Sequence, residues 1–371
     1  MLTLKHYAIV DTMTVDSDST ADSNSRSQLY VIGLRAGIAL VVLFGIYVAA
    51  WMGTAALLRQ SANQWIDAQR QAGLRIQHGE PVFRGFPGRV ILVFPDIDVS
   101  ASEGWVWTAP LISVSSWPTV LNRLSINLSG THTFSAPRFA ASAMAIDTNL
   151  ARLDIRLRAN GEMDGADLTL TESAVSSVGD GDPIFSIQRG QFHLRSRIAE
   201  EESHTLAIET YGLRLPITPP APFTPVVEKL AFTAETSGLT GDHTLVDTLD
   251  TWRTGGGAVE IHSLEIVWPP LTAAVTGTAA LDDLLQPVGA FSARLTGFFE
   301  VVDALVAGGT IENKDASMAR IVLGLLARTP PSGGPSELSV SITAQEQKLY
   351  AGPVMLMELP TIIWPDEKII P

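Results

Sequence analysis

The chain has 371 residues, 46% of them apolar and 17% charged, with a formal net charge of −14 and no cysteine. Soluble proteins carry about a quarter of their residues as charges, so this chain is sparing with them. The missing cysteine excludes disulfides, thiolate metal sites and thiol catalysis, and an acidic chain with no basic cluster along it has no electrostatic footprint for nucleic acid.

In chain order, residues 1–35 read as a disordered leader rich in Ser and Asp, lying on the cytoplasmic side. Residues 36–58, "AGIALVVLFGIYVAAWMGTAALL", follow without a charge, bracketed by Arg35 and Arg59. As a helix this run spans about 34 Å, enough for a hydrocarbon layer of about 30 Å. A cleavable signal is the rival reading, with "GTA" (53–55) offering small residues. The long apolar run and long leader are atypical of one and favour an uncleaved single-pass signal anchor. Arginines stand on both sides of the span, so charge does not set its orientation; a short leader inside and a large domain outside is the expectation.

Residues 59–73 continue as a helical extension. Leu58, Ala62, Trp65 and Ile66 fall on one stripe, and Gly73 is a stop.

From Leu74 the period becomes two, the mark of strands with one apolar and one wet face. Residues 74–215 form a first β-rich half and 226–371 a second with short helices. Leu124 and Ile126, Leu153 and Ile155, and Phe192 and Leu194 alternate with polar residues. Leu271, Ala273, Val275, Gly277, Ala279 and Leu281 make the longest clean run, and Leu338, Val340 and Ile342 repeat the pattern. Short helices are predicted around Leu245–Trp252, Val301–Val306 and Met318–Leu325. "PITPPAPFTP" (216–225) is too rich in proline for a central strand; it reads as a linker between the halves or as a loop along a sheet edge.

"GEPVFRGFPGRVILVF" (79–94) reads as one strand broken at Gly85, Phe86, Pro87 and Gly88. Such a break predicts a bulge or corner at which a sheet curls. The expected fold is therefore mainly β with an N-terminal transmembrane helix: a curled, elongated antiparallel sheet with a few short helices. Its apolar concave side must be plugged by helices, closed on itself, or occupied by something greasy.

The order of elements carries a resemblance. The anchor precedes "GEPVFRGFPGRVILVF", then "GWVWTAPLISVSSWPTVLNRLSINLSGTHTF" (104–134), then "LDTWRTGGGAVEIHSLEIVWPPLTAAVTGTAALDDLLQPVGAFSARLTGF" (249–298), then "LSVSITAQEQKLYAGPVMLMELP" (338–360). This resembles the bacterial envelope family called domain of unknown function 2125. The resemblance implies an inner-membrane anchor and a large periplasmic β-rich part, and it brings no catalytic residue. The closing pattern, a "GTAALD" strand, helices and a final "AGP" strand, is more loosely similar to AsmA-like envelope proteins, which handle phospholipids. That likeness implies a phospholipid partner.

No nucleophile elbow and no phosphate loop occurs, so no enzyme, cofactor or metal is expected. "TGGGAVE" (254–260) reads as a helix stop before a strand, and "GDGDP" (179–183) as a turn. Trp105, Trp107, Trp117, Trp252 and Trp268 read as sheet packing rather than a ligand site. Two functions stay open. One is a lipid-binding protein whose wall includes Leu271, Val275, Leu338, Val340 and Ile342. The other is an envelope scaffold with a filled core and no ligand.

Overall fold

Helix α1 (Ser19–Gln71) opens the computed structural model, which describes residues 19–101, 104–136, 142–179, 183–198, 202–238, 244–329, 333–352 and 354–364. Residues 19–35 are thus helical and not a disordered leader; residues 1–18 lie outside the described residues. The reason is local. Ser19 to Ile32 contains neither Gly nor Pro, and extending a formed helix adds one hydrogen bond per residue fixed.

The chain divides into one unit, Met1–Gly53, and a second, Thr54–Pro371. In the first, Ile32, Leu40, Val41 and Leu43 are each more than half exposed. A helix apolar on every side and exposed on every side suits a bilayer, and α1 is long and apolar enough to cross one.

The second unit begins within α1, where Ala55, Leu58, Ile66 and Gln69 are buried. Their spacing of three or four, or a multiple, puts them on one face. Trp65, expected on that stripe, is 60% exposed. It is seven residues from Leu58 and four from Gln69, about 20° and 40° around the helix, so it lies at the margin of the buried face, and its large ring stays mostly uncovered. Gly73 ends the helix at φ +100°, its N–H donating to the Arg70 carbonyl at 3.1 Å.

Strands β1 (Leu74–Gln77) and β2 (Val82–Arg84) both pair antiparallel with β3 (Val90–Ala101), β2 along its first half and β1 along its second. Here the sequence reading is corrected. Val82 stands opposite Val93 and Arg84 opposite Ile91, so Gly85, Phe86, Pro87 and Gly88 reverse the chain as a hairpin and do not bend a single strand. Bend and reversal need the same residue types, and only the pairing separates them. Gly85 has φ +96°, and a Cβ there would lie 2.0 Å from the Arg89 carbonyl oxygen, so the turn requires glycine. Ile66, Ile76, Leu92 and Phe94 form the buried core beside it, flanked by Phe83 and Val114.

The rest is a meander. β4 (Val106–Trp117) pairs with β3; β5 (Val120–Asn127) and β6 (Gly130–Ser135) lie end to end between β4 and β7 (Met144–Leu157). Then β8 (Met163–Ser177), β9 (Pro183–Ile198), β10 (Glu202–Arg214), β11 (Val226–Ser237), β12 (Val259–Trp268), β13 (Leu271–Leu281), β14 (Pro287–Thr296), β15 (Leu338–Gln345), β16 (Lys348–Ala351) and β17 (Val354–Glu358) follow. Each pairs antiparallel with the one before. Strand outweighs helix, 53% to 24%, so the chain is mainly β as expected.

The proline segment is a loop. β10 and β11 pair directly on either side of it, and Leu215 N–H donates to the Pro225 carbonyl at 2.8 Å. Phe223 and Thr224 of this loop rest on Trp268, whose indole N–H donates to the Thr224 carbonyl at 2.7 Å. Helix α2 (Leu245–Thr254) joins β11 to β12; Thr244 caps it by accepting from the Asp247 N–H, and Gly255 ends it. Helices α3 (Phe298–Ala307) and α4 (Asn313–Leu326) join β14 to β15.

Candidate functional site

Side chains alternate between faces along a strand, so a register pair keeps both partners on one face. Following the pairs from β3 gives Leu92, Val114, Ile126, Leu153, Leu168 and Phe192 in succession. The row continues through Ile208, Phe232, Leu264, Val275, Ala293 and Val340. Twelve strands each contribute an apolar residue, with no polar interruption. At ~4.8 Å between strands the row runs about 53 Å across the sheet. A second row lies beside it from Leu124 and Ile155 through Ala166, Leu194, Leu206, Ala234 and Ile261.

The row is covered unevenly. Leu92 is 0% exposed and Ala293 is 2% exposed. The other ten, Val114 to Val275 and Val340, are half-buried. Leu92 and Val90 are the large side chains buried to completion among the described residues. A face packed by another layer drives such residues inside; here most of the row keeps some access. Over β13–β15 the contrast between faces is sharp: Thr272, Thr276, Ser292, Arg294, Ser339 and Ser341 are exposed, while every residue of the apolar alternation is buried or half-buried.

The five residues expected to form a wall share this face. Val275 and Val340 stand in the same row, each beside Ala293. Leu338 pairs with Leu295, Ile342 with Phe291, and Leu271 with Trp268. They are not equivalent, since Leu338 is only 5% exposed and the others are half-buried. Sequence reading missed the middle of the wall, Ile208, Phe232 and Leu264, although the same alternation marks it. It also missed a device of glycines: Phe291 lies where a Cβ on Gly277 or Gly289 would stand, within 2.7 Å of both. A large ring thus covers the bare backbone on either side.

The opposite face is polar. Asp167 accepts from His193 Nδ1 at 2.5 Å and Arg195 Nη2 at 2.6 Å, with Arg156 at 3.3 Å. Burial works against its charge; the His193 hydrogen bond and the two arginines outweigh that and hold its carboxyl below the ordinary 3.8. Among the described residues no three His, Asp or Glu side chains are grouped to hold a metal ion. The tryptophans are dispersed: Trp105 stacks on Phe134, Trp107 on His132, and Trp252 donates to the Ser237 carbonyl. The "TGGGAVE" stretch ends α2 and enters β12; residues 180–182 of "GDGDP" lie outside the described residues.

Fold and face together define an antiparallel β-meander with a half-covered apolar face and an N-terminal helix apolar enough to span a bilayer. Residues 51–360 match the model of the family described as "Uncharacterized protein conserved in bacteria (DUF2125)". That is most of the chain, and the chain belongs to this family. No curated protein matches it, and no solved structure does.

Proposed function

We propose that this is a membrane-anchored envelope protein whose β-rich part stands in the periplasm and holds a phospholipid acyl chain on the apolar face of the sheet. One observation carries the reading: the twelve-strand apolar row is continuous, yet only half-buried over most of its length. Each buried methylene is worth about 0.8 kcal/mol, so a whole acyl chain laid along the row, and not a few methylenes, is needed to outweigh the cost of association. The face offers no chemistry of its own, and we read the protein as a binding protein rather than an enzyme. The looser likeness to AsmA-like proteins points the same way. α1 would anchor the chain in the inner membrane with its N-terminal end in the cytoplasm.

The buried core draws on Ile66 and residues after it, so residues 54–371 are suited to study without the anchor. Lipid extraction and mass spectrometry of this fragment should recover phospholipid in near-stoichiometric amount. A lipid-free fragment that takes up none from vesicles would favour the scaffold reading, in which the face is filled by the protein itself.

A further inference from the structure

The wet face carries a second candidate site, one residue out of phase with the apolar row. Arg123 of β5 stands directly opposite Arg156 of β7. Like charges in opposite positions of an antiparallel pair repel, and nothing in the fold demands two arginines there. Arg152 and Arg89 line the same cavity, which has a volume of about 330 Å³ and also presents Ser125, Trp117 and two acidic residues, Asp154 and Asp167. Arg89 enters from the end of the Gly85–Gly88 hairpin and lies over the Trp117 ring, 5.4 Å from its centre. The tight glycine turn therefore has a consequence beyond reversal: it delivers a guanidinium to this cleft.

The local carboxylates are already engaged. Asp167 serves Arg156, Arg195 and His193, and Asp154 serves Arg152 at 2.9 Å. Arg89 and Arg123 have no carboxylate partner among the described residues. Two unneutralised guanidinium groups thus converge on one cavity in a chain of net charge −14. Guanidinium groups bind phosphate oxygens in a bidentate fork that ammonium groups do not reproduce.

We infer that Arg89, Arg123 and Arg156 form a binding site for a phosphate group, from a phospholipid headgroup or a free phosphate. The site is on the opposite face from the acyl-chain row and stands without it. The test uses the full chain in detergent, titrated calorimetrically with inorganic phosphate and, separately, with soluble dihexanoyl phosphatidylglycerol. Saturable binding of both probes indicates a general phosphate site; binding of the lipid alone that Arg123→Gln weakens indicates a headgroup site, whereas lipid binding unchanged in Arg123→Gln belongs to the acyl-chain row and overturns the assignment. Arg123→Gln should weaken binding about tenfold or more, and should raise the melting temperature in phosphate-free buffer by about a degree through relieved repulsion. Arg123→Lys should fall between, since it keeps the charge and loses the fork. Arg89→Gln provides an independent loss of affinity outside the strand pair. Arg294→Gln, an exposed arginine on β14, should change nothing. Absence of saturable binding by either probe, wild-type affinity in Arg123→Gln and Arg89→Gln, or an equal loss in Arg294→Gln would overturn the assignment.

Discussion

Val275 and Val340, 65 residues apart in sequence, stand two strands apart in one register row with Ala293 between them. Both are half-buried, which is the state expected of a surface that a ligand covers and the protein does not. Val275→Asp puts a charge into that row. A fully enclosed carboxylate would cost many kcal/mol; at a half-open position a loss of about 1–3 kcal/mol is expected, with the fold retained. Chemical unfolding of residues 54–371 measures the first effect. Phospholipid recovered by extraction measures the second, which should fall several-fold.

Leu92 and Val114 are adjacent in the same row but differ in cover, Leu92 being 0% exposed and Val114 half-buried. Leu92→Ala should cost about 2–5 kcal/mol through lost transfer energy and a cavity that cannot collapse. Val114→Ala should cost about 1 kcal/mol. Urea midpoints of the two variants, compared at unchanged slope, separate the centre of the packed core from its half-buried margin.

The hairpin predicts a contrast between two glycines of similar φ. Gly85 at +96° has the Arg89 carbonyl oxygen 2.0 Å from where a Cβ would stand, whereas Gly161 at +90° has nothing within 4 Å. Gly161→Ala should cost about 1 kcal/mol from backbone conformation alone. Gly85→Ala should cost about 2 kcal/mol or more beyond that, because the turn itself must shift. Thermal unfolding of both variants checks the difference.

Asp167 predicts an acid-sensitive contribution. Its folded-state carboxyl titrates below the ordinary 3.8, so its stabilising effect is fully present above about pH 4 and is lost as pH falls through the folded value. Asp167→Asn should cost about 1–2 kcal/mol at neutral pH, the cluster being partly solvated. It should also flatten the fall in stability below about pH 4. Unfolding midpoints measured across that range give the sign directly.

Much of this architecture was legible in sequence because it is periodic. The alternations around Leu153, Phe192, Leu271 and Leu338 are strands, and the three helical patches are α2, α3 and α4. Features set by long-range pairing were not legible. Nothing local in residues 215–225 tells a linker from a hairpin loop; the pairing of β10 with β11 decides it. The same holds for Gly85–Gly88. Trp65 differs: helical spacing places it at the margin of the stripe, yet it is 60% exposed, because spacing alone does not say how far the packed layer reaches. The wall was recognised only at its β13 and β15 end and missed from β3 through β12, since a row across a sheet becomes visible only when registers are known.

Lipid binding requires that the apolar row be open to lipid. Its most direct test exploits the two-residue period of a strand, using the full chain in phospholipid vesicles with a photocrosslinking amino acid at single sites. Crosslinks to phospholipid should form from Ile208, Phe232 and Leu264 and not from their immediate neighbours Glu209, Thr233 and Glu265, which face the other way. Equal labelling of both sets, or none from the row, would contradict the account.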